Sequence, residues 1–139
     1  MAKMFSKVGL NSTNWSLSGL DGWNTSSVTD MSYMFYGSGT TTSNWNAGNL
    51  SGWNVSNVIT MEGMFGFTGN KATNWSVGNI SNWNVSKVNN MSSMFQNAGV
   101  GANYSLNLSG WNVSNVIQYN KFNEGVSTKV ISPVFGSSS

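Results

Sequence analysis

The stretch Leu50-Ser-Gly-Trp-Asn-Val-Ser-Asn-Val-Ile-Thr-Met-Glu-Gly-Met-Phe65 recurs along the chain and decides how it folds. Its last five residues, Met-x-x-Met-Phe, return every 30 residues and account for all eight methionines of the 139-residue chain. The four occurrences begin at Met1, Met31, Met61 and Met91. A fixed period of this length indicates a tandem-repeat protein in which each copy packs against the next.

Tryptophan follows the same period in two series. The first series is Trp15, Trp45 and Trp75, continued by Tyr104, and the second is Trp23, Trp53, Trp83 and Trp111. The fourth copy is two residues shorter, and a decayed fifth copy carries Tyr119 and Phe122 where the two methionines would stand. We therefore assign residues 1–123 to four repeats plus a decayed fifth, and residues 124–139 to a C-terminal cap or docking tail.

Each copy contains two periodicities. The apolar residues of Trp15-Ser-Leu17 alternate, as on a half-buried strand. Val28, Met31 and Phe35 share one helical face, and Ser26 precedes them where an N-cap hydroxyl belongs. The sequence thus predicts an α/β repeat solenoid of the leucine-rich-repeat type, with one short parallel β-strand and one short helical or 3-10 turn in each of about four coils.

Stacked coils would place identical residues in columns, and one set of columns is predicted to form the core. Methionine and phenylalanine at this regular spacing are packing residues far more often than metal ligands. The predicted core ladder is Trp23, Trp53, Trp83, Trp111, Met31, Met61, Met91, Phe35, Phe65 and Phe95.

A second set of columns is predicted to face solvent and to bind a partner. If Trp15 and Leu17 point inward, their neighbours on the strand point outward. The resulting face is neutral and rich in hydrogen-bonding groups, as is typical of the binding faces of solenoids. The candidate binding residues are Ser16, Asn46, Ser76 and Ser105, with Asn14, Asn44, Asn74 and Asn103 nearby.

The composition argues against several function classes. Only 7% of residues are charged, against about 25% in ordinary soluble proteins. The six positive residues are scattered lysines and there is no arginine, so we expect no nucleic-acid partner. The chain has neither His nor Cys, which removes the usual zinc sites and the nucleophile systems that depend on them.

The four carboxylates do not suggest catalysis either. Asp21, Asp30, Glu62 and Glu124 are single residues that do not recur from copy to copy. A glycosidase needs two facing carboxyl groups, and a calcium site needs a dense set of oxygen ligands. We therefore expect no enzyme activity, no catalytic residue, no metal site and no cofactor.

The sequence contains no recognisable targeting signal or membrane-spanning segment. Met1-Ala-Lys-Met-Phe-Ser-Lys7 lacks the apolar stretch of a secretory signal, and no apolar run is long enough to insert into a membrane. The expectation is a protein without export signal or anchor, whose location the sequence leaves unknown.

The opening stretch and its counterpart Ile80-Ser-Asn-Trp-Asn-Val-Ser-Lys-Val-Asn-Asn-Met-Ser-Ser-Met-Phe95 resemble the repeats of BspA-like surface proteins. These repeats are relatives of the leucine-rich repeat found in mycoplasma lipoproteins, other bacterial surface proteins and some phages. The resemblance covers about residues 1–123. It implies a solenoid at the cell surface that acts in adhesion or partner binding, without catalytic residues.

Three features depart from the BspA-like pattern. Asn follows the tryptophan at Asn24, Asn54, Asn84 and Asn112, where that family commonly has Asp. The loop after Met-Phe is longer, and the signal and anchor of a surface protein are missing.

Two functions therefore stay open. One is an adhesion-type binding module that meets a protein or glycan partner. The other is a structural virion component, such as a phage decoration, fibre or tail protein, in which the solenoid is a rigid scaffold between neighbouring subunits.

Overall fold

The computed structural model describes residues 1–136. Successive copies lie side by side, and short parallel strands join them. Strands β1 (Asn14–Ser16), β2 (Asn44–Asn46) and β3 (Asn74–Ser76) form one sheet in the order β1-β2-β3. The register is strict, because Trp15 lies opposite Trp45 and Trp45 opposite Trp75. Strands β4 (Leu106–Asn107) and β5 (Val130–Ile131) form a second parallel pair. The fold is a β-rich repeat with small parallel sheets.

The predicted helical turn after each tryptophan corner is wrong. Within residues 1–136 the only helix is a 3-10 turn at Leu20–Gly22, outside the predicted segments. The residues from Met31 to Ser38 instead form two four-residue turns, here called the double turn, joined by an overlapping third turn in which the N–H of Tyr36 donates to the Tyr33 carbonyl at 3.2 Å. The N–H of Met34 donates to the Met31 carbonyl at 3.4 Å, and that of Ser38 to the Phe35 carbonyl at 3.0 Å.

A left-handed residue in each turn is the physical reason that no helix forms. Tyr33 has φ 55° and Gly37 has φ 68°, in the third position of their turns. A right-handed helix cannot continue through such a residue. The third position of the first turn is left-handed in every copy, at Lys3, Tyr33, Gly63, Ser93 and Lys121. That of the second turn is left-handed as well, at Lys7, Gly37, Phe67, Asn97 and Gly125.

Alternate N–H groups in this double turn pair with the next copy instead of within their own. Met31 donates to the Thr60 carbonyl at 3.1 Å, and Tyr33 donates to the Glu62 carbonyl at 2.7 Å. Phe35 continues the series with a 2.9 Å bond to the next copy. The turns thus satisfy one half of the backbone donors and the contacts between copies satisfy the other half, as buried backbone requires.

Aromatic columns fill the space between the strands and the double turns. The Trp45 ring stacks on Trp15 with centroids 4.8 Å apart and on Trp75 at 5.2 Å. Phe65 stacks between Phe35 at 5.5 Å and Phe95 at 5.3 Å. Every predicted core methionine and phenylalanine is buried. Every buried side-chain nitrogen or oxygen of residues 1–136 has a hydrogen-bond partner.

The second tryptophan column is held by its indole nitrogens. Trp53 Nε1 donates to the Leu20 carbonyl of the preceding copy at 2.7 Å. Trp83 and Trp111 repeat this bond to their preceding copies at 2.9 and 3.0 Å, and all three rings are buried. The assignment of Trp23 to the core is wrong, since 41% of its surface is exposed. Trp23 lacks the indole bond to a preceding copy that holds the other three within residues 1–136, and the Phe5 ring lies 6.2 Å from it.

Asparagine, and not the serine that follows it, caps the corner after each of these tryptophans. Asn54 Oδ1 accepts the N–H of Ser56 at 3.0 Å and its hydroxyl at 2.6 Å. Asn84 accepts the N–H of Ser86 in the same way. The serine predicted to be an N-cap is therefore the donor of an Asx turn.

The chain after the fifth copy folds back on the last aromatic residues. Val126, Val130 and Pro133 are buried. The Phe135 ring stacks on Tyr119 with centroids 4.4 Å apart and meets Phe122 edge-on at 5.1 Å. The assignment of residues 124–139 to a cap or docking tail stays a prediction, and residues 137–139 lie outside the described residues.

Candidate binding surface on the strand face

The three-stranded sheet brings six of the eight predicted binding residues together. Because side chains alternate along a strand, the tryptophan at the centre of each strand points inward and its two neighbours point outward. Asn14 and Ser16 therefore lie beside Asn44 and Asn46, and these lie beside the third strand. The outward residues of β1 and β3 are exposed, while those of β2 are half-buried. None of the six carries a charge, so this surface, here called the strand face, is neutral.

The remaining two predicted residues, Asn103 and Ser105, lie outside this sheet although both are exposed. Strand β3 pairs only with β2, and the strand of the fourth copy pairs forward with β5. The path from Ala72 to Ile80 has seven intervening residues, whereas the equivalent path from Ala102 to Leu108 has five. With two residues fewer, the backbone of the fourth copy does not pair with the edge of β3.

A cleft opens where the ladder of strands is interrupted. It has a volume of about 260 Å³. It is lined by Trp75, Ser76, Val77, Gly78, Asn79, Ser81, Tyr104, Ser105, Leu106, Asn107 and Leu108. The Tyr104 ring still stacks on Trp75 with centroids 4.5 Å apart, and its hydroxyl donates to the Ala98 carbonyl at 2.5 Å. The stacked rings of Trp75 and Tyr104 thus close the bottom of the cleft, while the backbones of β3 and the fourth copy do not pair with each other.

The walls of the cleft offer uncharged hydrogen-bonding groups. Asn79 Oδ1 accepts the N–H of Ser81, and Asn107 Oδ1 accepts that of Ser109, each at 3.1 Å. These bonds fix both amides, and neither Nδ2 has an acceptor within residues 1–136, so both are available as donors. With the hydroxyls of Ser76 and Ser105, they surround an apolar floor. Such an arrangement can orient a neutral polar ligand.

The sequence pattern pointed to Ser76 and Ser105 but missed Asn79, Asn107 and Tyr104. The signal that could have found them is the two-residue shortening of the fourth copy. Aligned on Ala72 and Ala102, the missing residues correspond to Thr73 and Gly78. One deletion lies on each side of the strand, which is why the cleft opens here.

The carboxylates have local roles. Asp30 Oδ1 accepts the hydroxyl of Ser32 at 2.6 Å and its N–H at 2.8 Å, and the hydroxyl bond first of all lowers the pKa of Asp30. Glu62 accepts from Asn90 Nδ2 at 3.3 Å, and Glu124 accepts from Gln96 Nε2 at 3.4 Å. In the described part of the chain, no three acidic side chains cluster as a metal ion would require.

Two tyrosines make the stability of the fold sensitive to alkali. Burial raises the pKa of Tyr104 above its usual range. The pKa of Tyr33 is raised to about 12, mainly by burial and to a smaller extent by the nearby Glu62 carboxylate. The unfolded chain loses these protons near pH 10 and the folded chain keeps them. The stabilisation is thus complete below pH 10 and is lost as the pH rises towards the folded pKa values. We expect the melting temperature to fall steadily above about pH 10.

Tyrosinate absorbance and thermal melts on the same samples check this expectation. Tyr104→Phe should melt with a weaker dependence on alkaline pH than the wild type. Ionisation of all four tyrosines near pH 10 in a chain that is still folded would contradict the result.

A family model described as "Mycoplasma protein of unknown function, DUF285" matches residues 1–131. The chain belongs to the DUF285 family. The DUF285 match includes all five strands and both walls of the cleft. No curated protein and no solved structure matches the chain. Residues 1–136 contain no helix with the length and apolar character needed to cross a membrane.

Proposed function

We propose that this chain is a non-catalytic binding module whose strand face meets an uncharged part of a protein or a neutral glycan. The cleft between β3 and the fourth copy is the observation that carries the proposal. A regular repeat would bury this edge, but the shortened copy leaves amides and hydroxyls around an apolar floor. Concave sites of this composition are where ligands bind.

The neutral character of the site sets the chemistry of the partner. No lysine or carboxylate lines the cleft. A charged group placed there would lose hydration without gaining a counter-charge, which costs free energy. The preferred partner therefore offers hydroxyls, amides and apolar surface, as sugars and extended peptides do.

The wider setting belongs to the same proposal. The 30-residue period, the in-register parallel strands and the DUF285 membership support a solenoid of the leucine-rich-repeat type related to BspA-like surface repeats. In that setting the module acts at a cell surface in adhesion.

A rigid scaffold is the second candidate, and the aromatic columns favour it. Stacked rings and hydrogen bonds run from copy to copy and would resist bending. A virion component would use this stiffness between neighbouring subunits. Light scattering after size-exclusion chromatography separates the two, because a defined assembly favours the scaffold and a monomer favours the binding module.

Restoring the full repeat tests the binding proposal directly. A threonine inserted between Ala102 and Asn103, with a glycine between Leu106 and Asn107, gives the fourth copy its missing residues. We expect the strand to pair with β3, the cleft to close and ligand affinity to fall by at least about tenfold. The readout is chemical-shift perturbation of backbone amides by neutral oligosaccharides and uncharged peptides.

The matched control inserts the same two residues after Gly136, which does not line the cleft, and should bind like the wild type. A wild-type chain in which no such ligand shifts the amides of residues 76–79 and 105–108 removes the proposal. So does a filled variant that binds as well as the control.

A further inference from the structure

The side of the molecule opposite the strand face carries large side chains at positions whose backbone conformation favours glycine. We call this surface the turn face: the outward residues of the double turns. It lies across the core, because Trp45 enters from the strands and meets Phe35 of the double turn edge-on at 5.8 Å.

Non-glycine residues on the turn face adopt an unfavourable backbone conformation. Lys3, Lys7, Tyr33 and Phe67 have φ between 55° and 59°. Bulky residues rarely occupy the left-handed region, because the side chain then lies too close to the backbone. The chain itself shows that glycine suits these positions, because Gly63 stands in the column of Tyr33 and Gly37 in the column of Lys7. Strain of this kind concentrates at functional sites.

The strained residues and their neighbours form an aromatic and cationic pocket. Lys3, Ser6, Lys7, Tyr33 and Tyr36 line a shallow depression of about 480 Å³. The Tyr33 ring meets Tyr36 edge-on with centroids 5.3 Å apart.

Phe67 continues this aromatic surface. Its ring lies 5.5 Å from that of Tyr36. The three rings are half-buried, so each presents part of its surface to solvent.

Glycines in neighbouring copies seat these side chains. A Cβ at Gly63 would lie 2.5 Å from the ring of Tyr33, and one at Gly66 would lie 3.1 Å from that of Tyr36. A Cβ at Gly37 would lie 3.4 Å from Cγ of Lys7, so the lysine stem lies along the backbone there. The large side chains of the pocket therefore pack against glycines of the neighbouring copy.

We propose that this pocket binds an acidic saccharide, meaning a sugar chain that carries carboxylates or sulfates. The Ser6 hydroxyl donates to the Tyr36 carbonyl at 3.2 Å, and the Tyr33 hydroxyl bonds to the Glu62 carboxylate. The two lysines supply positive charge, the Tyr36 hydroxyl supplies a hydrogen bond, and the rings supply flat apolar surface. A sugar ring with an anionic substituent uses all three. An acidic peptide would use only the lysines, and a neutral sugar would leave them unpaired. This site is independent of the neutral cleft at the edge of the strand face.

The test uses a heparin hexasaccharide as the probe, with hexaglutamate and maltohexaose for comparison, titrated at low salt. The variant Lys3→Gly with Lys7→Gly removes both cations and installs the glycine that the chain carries in equivalent positions. Tyr36→Gln likewise copies Gln96 from the equivalent position of the fourth copy. Lys71→Gln with Lys87→Gln removes the same charge away from the pocket.

We expect the double glycine variant to bind the hexasaccharide about tenfold more weakly, with a melting temperature no lower than that of the wild type. Tyr36→Gln should weaken binding of the hexasaccharide but not binding of hexaglutamate. The Lys71 and Lys87 variant should change the affinity for the hexasaccharide by less than about twofold. Maltohexaose should not bind here.

Three results would overturn the proposal. The first is that the wild type does not bind the hexasaccharide. The second is that hexaglutamate binds as tightly and Tyr36→Gln affects neither probe, which would indicate an acidic peptide. The third is that the control variant loses as much affinity as the double glycine variant.

Discussion

Trp45→Ala is expected to lower the free energy of unfolding by about 4 kcal/mol, which is a large part of the stability of a domain of this size. Trp45 has no exposed surface and stacks between two other tryptophans. Its Nε1 donates to the Ser38 hydroxyl at 3.0 Å. The substitution leaves a cavity at the centre of the column and a buried hydroxyl without its donor, and both effects are unfavourable.

Urea denaturation followed by circular dichroism measures this loss. Trp23→Ala is the matched control, because it removes the same side chain from a position that is 41% exposed. We expect the control to cost less than about 1.5 kcal/mol. Equal stability of the two variants would contradict the expected result, since it would mean that the fuller burial of Trp45 adds nothing to the stability of the fold.

Gly99→Ala is the second substitution with a large expected effect. Gly99 has φ 54°, and a Cβ there would lie 2.6 Å from Cγ and 2.8 Å from Cβ of Trp75. The tryptophan is buried and stacked on both sides, so it cannot move away. Overpacking together with left-handed strain should lower the free energy of unfolding by about 3 kcal/mol.

Gly110→Ala provides the comparison, since a Cβ at Gly110 would meet no atom within 4 Å. That variant should lie within about 0.5 kcal/mol of the wild type. Thermal melts of the two variants give the difference. A Gly99→Ala chain as stable as Gly110→Ala would mean that the column can shift without penalty.

The sequence predicted the repeat and the strands because their signals survive in side-chain chemistry. Tryptophans spaced 30 residues apart must stack if the copies are parallel, and Trp15, Trp45 and Trp75 do so. The prediction of a helical segment was wrong because the spacing of Met31, Met34 and Phe35 fits both a helical face and a series of turns interrupted by left-handed residues. The deciding quantity is the positive φ of Tyr33, and tyrosine gives no hint of it. Gly63, in the same column, was the available clue.

The candidate site was predictable only in part. Strand alternation identified the outward serines and asparagines, since it depends on the backbone alone. The cleft depends on where the two missing residues fall, and the chain does not pair β3 with the fourth copy as a regular array would. The turn face was missed because the residue type changes between successive copies, from Lys3 to Tyr33 to Gly63, so no periodic pattern includes it.

The register of the sheet has a consequence for how such a chain grows and misfolds. Strand β2 receives β1 on one edge and offers β3 the same register on the other. A duplicated copy of residues 31–60 would therefore find both interfaces ready, so array length can change by whole units without new contacts. The same equivalence lets β1 meet β3 while the chain is still folding, with one copy looped out. Residues that differ between copies, such as Tyr36 and Gly66, reduce this degeneracy and help each copy to find its proper neighbour.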